Sequence, residues 1–156
     1  MLAFVALAGV FALGILQDYL DTLSRASLEG DWNTYRRYVG LPFVLVTDAA
    51  TLTVSTEDML RRGFDEFTAM LRALQVTDYI RLAEDGRMLS DDLLAGFYVS
   101  HLLSKSVRVL PPFRSQITLR RVDGIWLCAA ITNALSNARW PISLPVVSSK
   151  ADQGTG

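Results

Sequence analysis

The chain has 156 residues, 51% of them hydrophobic and 20% charged, with a net charge of −1 and a pI near 5.8. That length suits one domain with its own core, the composition excludes a disordered chain, and the lack of a basic excess argues against a nucleic-acid binder. The single cysteine, Cys128, excludes an internal disulfide and, beside a single histidine, a zinc site of the usual Cys/His kind.

The first 16 residues, MLAFVALAGVFALGIL, carry no charged or polar side chain. They are short for a membrane span, and no positive segment precedes them as in a signal peptide. Residues 1–14 are therefore read as an apolar extension of the first helix, with a signal or an anchor within residues 1–16 as the alternative. From Ile15 the pattern is amphipathic: Leu16, Tyr19, Leu20, Leu23 and Ser27 share a face, and Gln17, Asp18, Asp21, Thr22 and Arg25 lie away from it. Gly30 suits the left-handed end of that helix, and Asp31 caps a second, shorter one carrying Trp32, Tyr35 and Val39. Gly40 and Pro42 stop it. Strands follow at FVLVT and TLTVS, either side of Asp48-Ala49-Ala50.

Thr56-Glu57-Asp58 opens a third helix, whose apolar positions Leu60, Phe64, Phe67, Leu71 and Leu74 recur at steps of four and three. Beyond it the period changes to two. Strands are predicted at about 76–83, 93–104, 112–122 and 125–134, with turns at Glu84-Asp85-Gly86 and Asp123-Gly124. In FRSQITLRR the alternation predicts one buried and one wet face, whereas IWLCAAITNAL is apolar on both. The chain is polar from Ser148, and residues 146–156 are expected to be a disordered tail. The charge is uneven: residues 1–98 hold 8 Lys/Arg and 14 Asp/Glu, residues 99–156 hold 7 and 2. The excess of basic residues fits the wet face of a sheet or, more sharply, a site for an anionic ligand or acidic partner.

The segments YLDTLSRASLEGDW, LPFVLVT, TEDMLRRGFDEF and LRRVDGIW, in that order, resemble the nuclear transport factor 2-like superfamily, with its SnoaL-like and ketosteroid isomerase-like branches. The resemblance covers about residues 15–140. It implies an α+β fold: a cone-shaped barrel with three N-terminal helices on a strongly curved, mostly antiparallel sheet, in a domain spanning 15–145. It also implies an apolar cavity and dimerisation through the outer sheet face. The residues expected to line the cavity are Tyr19, Leu23, Phe43, Phe64, Phe67, His101 and Trp126.

The isomerase pattern asks for a base carboxylate, a tyrosine and a protonated aspartate. Aligned on this chain, the base position falls on Thr47 with Asp48 adjacent, the tyrosine position near Leu23 with Tyr19 one turn earlier, and the aspartate position within Ser115 to Ile117. None of the three positions carries the required group, so isomerase chemistry by that route is not supported. His101 is the remaining candidate acid or base: it shares parity with Phe97, Val99 and Leu103, an apolar set, which predicts an inward ring. Cys128, among alanines, reads as a small buried hydrophobe.

The preferred function is a pocket-forming domain that binds a small hydrophobic ligand, or a dimeric interaction module, in the cytoplasm. The alternative is an isomerase, lyase or polyketide-cyclase-type enzyme using His101, and a third is a membrane-tethered accessory domain. No cofactor or metal is expected.

Overall fold

The computed structural model describes the backbone of residues 2–133 and the side chains of residues 7–133. The tail at 146–156, the domain boundary at 145 and the last residue of the predicted strand 125–134 lie outside the described residues. Among the described residues, three helices and seven strands follow in the order α1 (Leu2–Glu29), α2 (Trp32–Arg37), β1 (Val39–Val46), β2 (Thr51–Val54), α3 (Glu57–Ala73), β3 (Asp78–Ser90), β4 (Leu93–Ser104), β5 (Val107–Arg108), β6 (Phe113–Val122) and β7 (Ile125–Asn133). The strands form one curled mixed sheet in the order β2-β1-β7-β6-β4-β3, with β5 paired to the end of β4. Only β1 and β7 run parallel.

The apolar start of the chain is part of α1. No helix among the described residues is long and apolar enough to cross a membrane. Ala12, Leu16, Leu20 and Leu23 are buried, while Leu7, Val10 and Phe11 are exposed. The helix ends as a glycine stop should: Gly30 takes φ +71°, and the Asp31 amide reaches back to the Ala26 carbonyl at 2.8 Å. Asp31 then caps α2, accepting from the Thr34 amide at 3.1 Å and the Thr34 hydroxyl at 2.6 Å. This corner swings the chain from α1 into β1. Thr56 caps α3 through the Met59 amide at 3.2 Å, and Leu60, Phe64 and Leu71 of that helix are buried.

Two expected chain breaks are corrected. Gly40 and Pro42 do not end the second helix; it closes at Arg37, and both residues belong to β1, where the pairing with β7 is irregular. Glu84-Asp85-Gly86 is not a turn. β3 runs straight through it with a bulge between Ala83 and Asp85, and the chain reverses at Asp91-Asp92. The glycine serves close approach rather than chain reversal. A Cβ on Gly86 would sit 3.2 Å from the Ala12 carbonyl carbon, so its absence lets α1 lie directly on β3. Asp123-Gly124 is the tight turn its sequence predicts, with φ +51° and +79°.

Gln17, expected on the outer side of α1, instead closes the edge of the sheet. Its Nε2 donates to the Arg81 carbonyl at 2.8 Å, and its Oε1 accepts from the Ala83 amide at 2.9 Å. β3 is the last strand on that side, and these bonds satisfy groups that an open edge leaves bare.

Candidate functional site

Between α1, α3 and the inner sheet face lies a cavity of about 100 Å³. α1 contributes Tyr19, Leu23 and Ser27, and β1 contributes Phe43 and Leu45. Gly63 and Phe67 of α3 close another side, and Tyr35 of α2 reaches in from the corner. The remaining wall comes from Val39 of β1 and from four further strands: Tyr79 and Arg81, then Tyr98, Ser100 and Leu102, then Phe113, Ser115 and Ile117, then Cys128, Ile131 and Asn133, where an irregularity in the pairing shifts the alternation on β7. The volume is of the order that holds a single ring in an engineered apolar cavity (about 150 Å³).

Of the residues expected to line the cavity, Tyr19, Leu23, Phe43 and Phe67 do so. Phe64 is buried behind the wall, its ring 4.7 Å from that of Tyr35 and 5.5 Å from that of Trp32. Trp126 is half-buried beside the core near the β6–β7 turn, with the Arg121 guanidinium 5.5 Å from its ring. His101 is also displaced from the cavity. On β4 the burial alternates so that Tyr98, Ser100 and Leu102 point inward, and His101 stands on the outer face with Phe97, Val99 and Leu103. Its strand partner there is Ile80, an exposed outer residue of β3.

Two of the three isomerase positions fall on the cavity wall without the required chemistry, and the third lies off it. Leu23, Ser115 and Ile117 are on the wall. Thr47 spends its hydroxyl on the β1–β2 turn, accepting from the Ala50 and Ala49 amides at 3.2 and 3.3 Å. Asp48 is exposed and off the cavity wall. Among the described residues, no carboxylate and no imidazole lines the cavity.

The ionisable groups that do line it are tyrosines, a cysteine and one arginine. Burial raises the Tyr19 and Tyr35 phenols, and it pushes Tyr98 up to about 12. Burial likewise pushes the Cys128 thiol up to about 12. These groups are neutral near pH 7 and act as hydrogen-bonding or apolar surface. The Tyr19 hydroxyl donates to the Tyr38 carbonyl at 2.6 Å, which ties α1 to the start of β1.

Arg81, which the sequence reading passed over, is the remaining charge. It is 7% exposed. Its Nε donates to Ser24 Oγ at 2.8 Å and its Nη2 to the Leu20 carbonyl at 3.3 Å. The Tyr79 and Tyr98 rings lie 5.1 and 5.5 Å from the guanidinium carbon. Burial opposes its charge, yet the surrounding phenol oxygens hold its pKa above the ordinary guanidinium value. Its charge is permanent.

No protein-family model and no curated protein matches the chain. Solved structures do. A nuclear transport factor 2-like protein of unknown function from Shewanella oneidensis superposes with a TM-score of 0.57 at 12% identity, over 78% of this chain and 97% of its own. A candidate ketosteroid isomerase from Shewanella frigidimarina gives 0.54 at 12% identity, over 74% and 90%. A nuclear transport factor 2-like protein from Cytophaga hutchinsonii gives 0.54 at 11% identity, over 78% and 95%. At such identities the likeness is one of fold, and it agrees with the helix order and the curled mixed sheet: the chain has the nuclear transport factor 2-like cone fold.

Proposed function

We propose that this domain binds a small, largely apolar molecule in the cavity enclosed by α1, α3 and the sheet. The observation that carries this reading is the wall itself. Leucine, isoleucine and aromatic side chains surround a few hydroxyls and a single charge, the composition expected of a ligand pocket. An acid–base role at His101 has no support from the geometry, because the histidine lies on the opposite face of β4. Binding without turnover therefore fits the wall better than isomerase or cyclase chemistry.

A calorimetric titration with indole tests the reading, using Gly63→Leu as the control. Gly63 is a cavity-facing α3 position without a side chain, so leucine there fills the space. Binding to wild type and its loss in a folded Gly63→Leu supports the proposal; equal binding to both places indole elsewhere and contradicts it.

A second feature favours assembly into a homodimer through the sheet. On the outer face, Val44, Ala130, Thr118 and Ala95 lie in register across β1, β7, β6 and β4. These four positions carry no charge, the row meeting Arg87 only at the edge strand β3; beside it Phe97 and Val99 are half-buried, with Arg114 paired to Val99 and 4.2 Å from the Phe97 ring, and Ile80 and Leu82 are exposed. A surface of this kind suits a second copy of the same sheet.

A further inference from the structure

Among the described residues, Arg81 is a buried cation without a buried anion. The ion pairs among the described residues are Arg36–Glu57, Arg61–Asp65, Arg114–Glu84 and Arg121–Asp92, and all of them are at the surface. The partners of Arg81 are the Ser24 hydroxyl, the Leu20 carbonyl and the Tyr98 phenol, all neutral. A buried lysine can shed its proton to escape such a site; a guanidinium cannot. The tyrosine rings beside it offset part of the cost, but a ring quadrupole is a weak substitute for a formal charge.

The charge also faces the cavity rather than packed core, and it does not stand alone there. Ser100 and Ser115, 1% and 2% exposed, bring hydroxyls to the same wall. Ser115 Oγ has no hydrogen-bond partner of good geometry among the described residues, although the Tyr98 phenol stands opposite it. A buried hydroxyl in that state can pair with an ordered water or with a ligand that displaces it.

Resting on the pocket reading above, we propose that the ligand is a small monocarboxylic acid whose carboxylate is held by Arg81 and whose apolar part lies against Leu23, Phe43 and Ile117. One fixed positive charge matches one negative charge, and the guanidinium fork matches the planar carboxylate. A phosphate dianion would bring more charge than this wall neutralises. The apolar remainder of the cavity requires that the acid carry a ring or a short alkyl chain.

Calorimetric titrations of the full chain with benzoate and hexanoate, each against its amide, test this. The carboxylates are expected to bind wild type at least tenfold more tightly than benzamide and hexanamide. Arg81→Met should erase that preference while the amides still bind. Arg81→Lys, which keeps the charge without the fork, should retain a smaller preference and serves if the methionine variant fails to fold. Equal binding of acid and amide to wild type overturns the proposal and leaves the pocket reading intact. A preference that survives in folded Arg81→Met also overturns it, because another group then holds the anion. Failure of all four probes to bind wild type overturns the proposal, and the indole titration then decides the pocket reading by itself.

Discussion

Gly86 and Gly96 face each other in register on β3 and β4, under the point where α1 crosses the sheet. A Cβ on Gly96 would lie 2.6 Å from the Asp85 carbonyl oxygen and 2.6 Å from Leu16 Cδ2. The oxygen belongs to the backbone and cannot swing aside. Gly96→Ala is therefore expected to destabilise the fold by about 1–3 kcal/mol, read as a lower urea midpoint. A midpoint equal to wild type would show that the helix is not seated on this pair.

Stability should fall on the alkaline side. Cys128 rises from 9.0 to about 12 and Tyr98 from 10.0 to about 12 in the folded chain. For groups whose folded pKa is raised, the unfolded chain ionises first. Their contribution is complete below pH 9.0 and is lost as pH climbs through the folded values near 12. Urea midpoints measured from pH 8 to 11 should decline from about pH 9 upward, and Cys128 should resist alkylation in the native state at pH 8. A flat midpoint across that range, or rapid labelling of the native thiol, would contradict the burial described for these groups.

His101→Phe should leave binding of indole and of benzoate unchanged, because the ring stands on the outer face beside Ile80. A calorimetric titration of the variant checks this. Loss of binding in a folded His101→Phe would return the histidine to the site.

The misplacement of His101 shows where sequence patterns stop. Three helix boundaries were legible because they rest on local chemistry: Gly30, Asp31 and Thr56 act within a few residues of themselves, whereas the end of α2 at Arg37 carries no such signal. The assignment of strand faces rests on the rule that the apolar parity points inward. On β4 that rule selects Phe97, Val99, His101 and Leu103, but the interior takes Tyr98, Ser100 and Leu102. On β3 it selects Ile80 and Leu82, while Tyr79 and Arg81 point in. A cone that encloses a polar-studded cavity and presents an apolar outer face inverts the usual signal. Two adjacent strands with tyrosine and serine on the less apolar parity were the available hint. The bulge at Ala83–Asp85 was illegible for a related reason, since one inserted residue breaks the period of two and mimics a turn.

The proposed dimer is tested at Ala130, the centre of the uncharged outer row. Wild type is expected to sediment as a dimer and Ala130→Arg as a folded monomer. A monomeric wild type contradicts the assembly, and an unaltered Ala130→Arg dimer removes this row from the interface.

The cavity itself is probed most directly by methyl-resolved NMR during a titration with indole. Leu23, Leu45, Ile117 and Ile131 line the cavity, whereas Leu82, Val44 and Val99 lie on the outer face. A ligand held inside the cone should shift the first group progressively and leave the second in place. Shifts confined to the outer residues, or none in either group at saturating indole, would contradict the account.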